Sequence, residues 1–577
     1  APYVAPRTPI QDLLAGIWAN VLGVERVGAD DNFFDLGGHS LTAMQVASRI
    51  EDALRTRLPL RLVFERPTVA GLAQAVEGNL QANPPPPLVR ASREHALPLS
   101  FAQQRLWFLD QLDPGGSSYN CAGALRLLGD LDCAALQRSF TVIVERHEAL
   151  RTIFREGPHG AEQLVLPAGE FALELREACS EAEAVHLASE HARRPFDLRT
   201  GPLIRASVIR LGQRDHILLL SLHHIASDGW SLALLFRELA VVYRSIGAGT
   251  VAALTPLPIQ YADYAVWQRG WLQGEVVNHQ LAYWAHQLRH APELSTLPAD
   301  RPRPTGGAYR GARRLIQLDP LLSREVHAFS RCEGATVFMT LLAAFQALVF
   351  RHTGQPDLVV GAPIAGRNRR ELEGLIGFFV NTLALRCDFS GDPSSRQLLA
   401  RVRDTVLGAY THQDVSFEQI VGELRPERTL SHTPLFQLMF DYLDASVQAP
   451  DFLGLATSPL EVDSGTAKFD LTLVLGDTPQ GLSGSIEYAT DLFDPDSIDR
   501  LARHFEVLLA AMVRHPELRL SQLPLMDAGE RRQILGAWAG TGAGGDGVLV
   551  PQRFEDCARR WPDRIAVVAG DQQVTYG

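Results

Sequence analysis

The chain has 577 residues, 46% hydrophobic and 21% charged, with a formal charge of −12. This length excludes one ordinary core and predicts several domains of soluble globular composition. The acidic balance argues against a nucleic-acid surface, and no apolar run is long enough to cross a bilayer. Ala1-Pro2-Tyr3 lacks the regions of a secretion signal, so a cytoplasmic location and no membrane partner are expected. Cys121, Cys133, Cys179, Cys332, Cys387 and Cys557 form no Cys-x-x-Cys, so neither a zinc site nor a disulfide framework is expected. They read as free core thiols.

Thr8-Pro9-Ile10-Gln11 forms a capping box with Pro at the first helical position, and Leu13, Leu14, Ile17, Trp18 and Val21 share one face. The spacing predicts a helix to about Leu22. Ser40 opens a second helix carrying Met44, Val46, Ala47 and Ile50. Free N–H groups and partial positive charge at such an end tolerate an anionic group, although helix grammar alone makes Ser40 a plain cap. Leu36-Gly37-Gly38-His39-Ser40-Leu41 resembles the attachment motif of peptidyl carrier domains. The resemblance implies 4′-phosphopantetheine on Ser40, transferred from coenzyme A by a separate phosphopantetheinyl transferase. The Gly pair would bring the hydroxyl close to that enzyme. Thr68 caps a last helix through Val76, closing a four-helix bundle over residues 1–80. Residues 81–96 contain Asn83-Pro84-Pro85-Pro86-Pro87, expected to be an extended spacer that separates domains without docking them.

From Leu97 a larger unit begins, in which strand-like runs such as Leu358 to Gly361 and Leu473 to Leu475 alternate with helical stretches such as Val337 to Val349. That pattern predicts an α/β fold. Ile217 to Leu220 reads as a strand buried on both faces, and His223-His224 stand at its end. Ser231 is the expected N-cap of a helix carrying Leu232, Leu235, Phe236, Leu239 and Val242. Successive strand side chains face opposite ways, so the two histidines are expected to differ in role and not to share a metal. Asp228-Gly229 puts a carboxylate beside a residue that permits tight backbone shapes, a combination that organises sites.

His-His-x-x-x-Asp-Gly resembles the core motif of the condensation domains of nonribosomal peptide synthetases, a family similar in fold to chloramphenicol acetyltransferase. Ser100 to Leu109, Arg146 to Thr152, Tyr261 to Trp267, Ile376 to Thr382, His412 to Glu418 and Arg428 to Leu435 resemble its other motifs in order. The last departs from the usual Arg-Asn-Pro-Leu ending, reading Ser431-His432-Thr433-Pro434-Leu435. The resemblance implies a two-lobed domain over 97–525, with lobes of about 97–270 and 271–525 around a tunnel. It implies a catalytic set of His224, His223, Asp228 and Gly229, with His224 central, His223 acting mainly through folding and Asp228 paired with Arg367.

The activity implied is amide bond formation between a thioester on Ser40's arm and the amine of an aminoacyl thioester on a downstream carrier. Two alternatives are an epimerisation domain and an inactive recruitment platform. Gly-Gly-His-Ser rather than Gly-Gly-Asp-Ser opposes the first, and intact His224, Asp228 and Gly229 oppose the second. The opening motif and Trp230 resemble the subtype that takes an L-configured donor. Beyond a linker at 526–550, residues 551–577 resemble the start of an adenylation domain, with Pro562-Asp563-Arg564-Ile565-Ala566-Val567-Val568. The expected partners are therefore upstream and downstream adenylation domains and an acceptor carrier, and the chain reads as a piece of a longer synthetase.

Overall fold

The computed structural model describes residues 3–56, 58–78, 85–158, 160–304, 309–425, 433–443, 452, 454–460, 462, 465–538, 549–570 and 572–577. Two compact units result, Ala1–Leu523 and Pro524–Gly577. The first holds both the carrier helices and the two lobes.

The carrier is built from helices Pro9–Leu22, Ser40–Leu54, Arg61–Glu65 and Val69–Gly78, the third a single turn. Thr8 caps the first through Gln11 N–H, as its sequence predicts, and Trp18 packs edge-on against Phe33 at 5.0 Å. Gly37 has φ of +91°, and a Cβ on Gly38 would lie 2.3 Å from the Phe33 ring. The Gly pair therefore answers to the packing of its own loop as well as to any visiting enzyme.

In the first lobe, five strands run in the order Ala456–Leu460, Asn120–Leu128, Asp215–His223, Ile204–Gly212, Glu174–Glu177. The strand ending at His223 is buried on both faces, for a reason its period of two makes plain. Leu218, Leu220 and Leu222 meet helices Cys133–Arg146 and Gly229–Gly247 through Phe140, Leu235 and Leu239. Ile217 and Leu219 pack against Ala184 and Ala188 of helix Glu181–Arg193. A short continuous apolar run with no polar face is what such a position requires.

The second lobe has seven strands in the order Asn381–Asp388, Asp357–Ile364, Leu438–Leu443, Leu471–Thr478, Gly481–Ala489, Tyr309–Gln317, Thr466–Ala467. Helix Val337–Thr353 is buried at every position from Met339 to Val349, and Phe338 and Phe345 pack on Phe440 of the sheet. One strand escapes the alternation pattern. Ala456–Leu460, which lies in sequence between strands of the second lobe, pairs antiparallel with Asn120–Leu128 of the first. It takes an edge position, where Pro459 removes no needed ladder donor.

The spacer differs from its expected behaviour. Pro86 C=O accepts from Trp267 Nε1 at 2.7 Å and from Arg369 Nη1 at 3.1 Å. Ala91 N–H donates to Asp263, and Arg93 pairs with Asp263 and Glu148. Extended proline backbone makes no internal hydrogen bonds, so its carbonyls are free to accept from a neighbouring domain. The described part of the spacer thus docks rather than floats; Asn83-Pro84 lie outside the described residues, as do 428–432 of the last motif and the glycine-rich 540–545. The cysteines carry a second correction: all are free, yet only Cys387 is buried, and Cys179 and Cys332 are exposed.

In the second unit, helices Ala528–Arg532 and Val550–Arg560 precede an antiparallel pair, Ile565–Ala569 and Gln572–Thr575. Among the described residues no single helix is long and apolar enough to cross a membrane.

Candidate functional site

His223 closes its strand, and His224 opens the short turn His224–Ala226 that leads to helix Gly229–Gly247. Backbone bonds fix both: His223 N–H donates to Leu203 C=O at 3.1 Å and His224 N–H to Tyr119 C=O at 2.8 Å. Their surroundings diverge. His223 is buried edge-on against Phe196, and its Nδ1 accepts from Ile225 N–H at 3.2 Å. His224 keeps part of its surface open, with its ring 5.3 Å from that of Phe378.

His224 Nδ1 lies 3.1 Å from Ser227 C=O. A carbonyl can only accept, so Nδ1 carries the proton and Nε2 bears the lone pair. Burial, followed by the charge of Lys468, holds the imidazole well below its ordinary range, so it stays neutral at neutral pH. Burial likewise takes His223 down to about 3 and His191 to about 4, from 6.5. These depressed values have a consequence for stability. Between about pH 6.5 and 3 the unfolded chain binds protons that the folded chain refuses, so stability from these groups is full above 6.5 and lost as pH falls. The melting temperature is expected to begin falling near pH ~6, before carboxylates titrate. A melting temperature constant from about pH 7 to 4.5 would contradict this.

Helix Gly229–Gly247 is capped by Asp228, not by Ser231. Ser231 lies one turn in, where its N–H donates to Asp228 Oδ1 at 2.8 Å. The carboxylate also receives Arg367 Nη1 at 3.0 Å, Arg367 Nη2 at 3.2 Å and Phe379 N–H at 3.0 Å. Arg367 in turn stacks on Phe379 at 4.1 Å and reaches Ser231 Oγ and Leu375 C=O. The pair, with side chains 0% and 1% exposed, ties the histidine turn of one lobe to residues 366–379 of the other. Two glycines make that joint possible. Gly366 has φ of +62° and a Cβ there would lie 2.0 Å from Phe379 C=O, while one on Gly377 would strike Tyr261 at 1.9 Å. Gly229 is different from what its place beside Asp228 suggests. It is exposed, lacks a positive φ, and a Cβ would meet nothing within 4 Å, so the fold does not require glycine there.

The remaining motifs interlock around the same turn. Tyr261 donates to Phe378 C=O at 2.6 Å and receives Ser100 Oγ–H at 2.8 Å. Arg105 pairs with Glu418 at 3.0 Å, and Asn381 Nδ2 donates to Gln413 and Val415 carbonyls. A cleft lined by Tyr264, Trp267, Trp271, Phe378, Asn381 and Gln413 opens among them.

The carrier serine docks on the second lobe. Ser40 Oγ lies 3.4 Å from Thr336 Oγ1, the N-cap of helix Val337–Thr353, and bonds the buried Tyr410 hydroxyl, which burial pushes up to about 12. Met44 Sδ is 3.7 Å from Gln413 Nε2, and Arg49 reaches Glu373 at 3.8 Å. Gln413 therefore touches the carrier and lines the cleft whose other wall, Phe378, packs on His224. Gln413 falls within the His412 to Glu418 motif, whereas Thr336 and Tyr410 are not singled out by sequence reasoning, because each lies in an unremarkable helical context. Among the described residues, no group of three His, Cys, Asp or Glu side chains converges to hold a metal ion.

Residues 93–535 match the family model of the condensation domain, and residues 12–76 that of the phosphopantetheine attachment site. The chain belongs to the condensation-domain family. A linear gramicidin synthase of Brevibacillus parabrevis is 46% identical over 586 residues, covering 100% of this chain but only 8% of that protein. Among solved structures, the X-domain from teicoplanin biosynthesis is 30% identical with a TM-score of 0.71, covering 76% of this chain and 100% of its own. The first condensation domain of the calcium-dependent antibiotic synthetase, 23% identical with a TM-score of 0.66 over 76% of this chain and 100% of its own, shares the fold. The two-lobed α/β reading and the helical carrier both hold. A phosphopantetheine attachment domain carries covalent 4′-phosphopantetheine, and condensation domains are acyltransferases that form amide bonds.

Proposed function

We propose that this chain joins an acyl or peptidyl group, held as a thioester on Ser40's phosphopantetheine, to the amine of an aminoacyl thioester on a downstream carrier. The observation that carries this reading is the docking of the Ser40 helix, through Met44, on Gln413, which lines a cleft together with Phe378, the ring on which the His224 imidazole packs. The residues around Ser40 fit the prosthetic group. The hydroxyl stands at the first position of a helix, and Thr336 and Tyr410 offer hydroxyls beside it for a phosphodiester.

When bound, the group supplies a flexible thiol arm on which acyl chains are held as thioesters. His224 orients the incoming amine and takes its proton on Nε2 as the nitrogen bonds to the carbonyl carbon. That proton is then available to the departing sulfur as the C–S bond breaks. Asp228 and Arg367 hold the turn that carries His224, and His223 packs beneath it without touching the reactants. Gly229, exposed and open above its Cα, leaves room for close approach of a substrate arm.

The resemblance of residues 551–577 to the start of an adenylation domain supports placing the acceptor carrier downstream, with Ser40's carrier as the donor. Partners of the working protein are then a phosphopantetheinyl transferase with coenzyme A, adenylation domains on both sides and the acceptor carrier. Intact-protein mass spectrometry tests the reading. With Ser40 loaded and an aminoacylated downstream carrier added, the acceptor is expected to gain the donor acyl mass. Ser40→Ala is expected to accept no phosphopantetheinyl group, and a Ser40→Ala chain that still gained that mass would remove the assignment.

A further inference from the structure

Of the 54 lysine and arginine residues in the chain, one is lysine, Lys468. It follows the strand Thr466–Ala467, on the return of the chain from the strand Ala456–Leu460 that joins the first lobe's sheet. Its ammonium lies 5.5 Å from the centre of the Tyr119 ring, and Tyr119 C=O is the group that holds His224 N–H at 2.8 Å. The second lobe thus places a point charge beside the histidine turn of the first. Among the described residues no carboxylate pairs with Lys468.

The other charged and titratable groups that face the imidazole leave this charge uncompensated. Arg105 is paired with Glu418, and His223 is held neutral by burial. Cys121, pushed up to about 11, is an uncharged thiol, and the carboxylate of Asp228 is saturated by Arg367. A compact ammonium on a flexible stem concentrates its charge, whereas an arginine here would seek a carboxylate or an aromatic face to lie flat against.

We infer that Lys468 keeps protons out of the reaction centre, favouring a neutral imidazole on His224 and a neutral attacking amine. Like charges nearby disfavour protonation of a base, and an α-amine beside a cation deprotonates at lower pH. Lys468 acts through His224 and the incoming amine, without forming a bond to either. It is a positioning residue, supplied by the same crossover that ties the lobes together. The inference rests on the proposed role of His224, and its test separates the two.

Single-turnover condensation with both carriers loaded is measured from about pH 5.5 to 8.5 for the full chain, Lys468→Met and Lys468→Arg. Lys468→Met is expected to be slower by about tenfold near pH 6 and to approach the wild-type rate near pH 8.5, because an α-amine titrating near pH ~8 is largely protonated at pH 6, where one pKa unit is a factor of ten in its neutral form. Lys468→Arg keeps the charge and is expected to keep the wild-type acid limb. In parallel, 13C-labelled histidine NMR of the unloaded chain follows His224, whose titration is expected to move to higher pH in Lys468→Met. An unmoved His224 titration, or a rate loss equal at every pH, would overturn the inference. A His224 titration that moves while the rate profile stays fixed would uphold the electrostatic contact and overturn His224 as proton acceptor.

Discussion

His224→Ala is expected to lower the single-turnover condensation rate by about 10²–10⁴-fold, with the chain folded and Ser40 loading intact. The geometry sets both the size and the ceiling of this effect. Nδ1–H is committed to Ser227 C=O, so the reactive group lost on truncation is the Nε2 lone pair; the Ser227 carbonyl loses its donor and Phe378 its ring contact, but no buried charge is stranded. The deprotonation it assists is modest, because an α-amine titrates near pH ~8 and a thioester is already an activated acyl donor. Alignment of the two arms is the larger part, up to about 7–11 kcal/mol, and it belongs to the cleft and to the docked carrier. His223→Ala is expected to behave otherwise. It removes packing against Phe196 and the acceptor for Ile225 N–H, so its first readout is a lower melting temperature. A His224→Ala rate within about twofold of wild type would sink the role assigned to Nε2.

The strand ending at His223 is legible in the sequence because burial on both faces leaves a run with no polar interruption. The first carrier helix is legible because Thr8, Pro9 and Gln11 sit at the positions a helix start requires. Asp228 and Ser231 show where local grammar runs out. Both are good N-caps, and the choice between them is made by Arg367 and Phe379 N–H from the other lobe, some 139 and 151 residues away along the chain. The strand Ala456–Leu460 is illegible for a similar reason, since its partner Asn120–Leu128 lies in the other lobe and its own residues carry no alternation. The docking of the spacer escapes a reading that counts proline's missing donors and leaves out its free carbonyls. Lys468 has a signal that can be read from sequence, as the one lysine in an arginine-rich chain.

Asp228→Ala is expected to lower folding stability by about 3–5 kcal/mol, the usual cost of stripping one partner from a fully buried pair. The guanidinium of Arg367, 1% exposed, would lose two contacts to carboxylate oxygens and retain Ser231 Oγ and Leu375 C=O. Phe379 N–H and Ser231 N–H would lose their acceptor at the same time, and the helix Gly229–Gly247 its cap, which alone contributes about 1 kcal/mol. Solvent screening cannot soften the loss, because neither side chain reaches water. Arg367→Met leaves the carboxylate with its backbone donors and is expected to cost less. In the double variant Asp228→Ala, Arg367→Met no uncompensated charge remains, so its loss of stability is expected to be well below the sum of the two single losses. Urea unfolding of the four proteins measures this coupling. Activity should follow stability, since the pair's work is to hold the His224 turn against the second lobe. An Asp228→Ala protein as stable as wild type yet unable to condense would instead place the carboxylate in the chemistry itself.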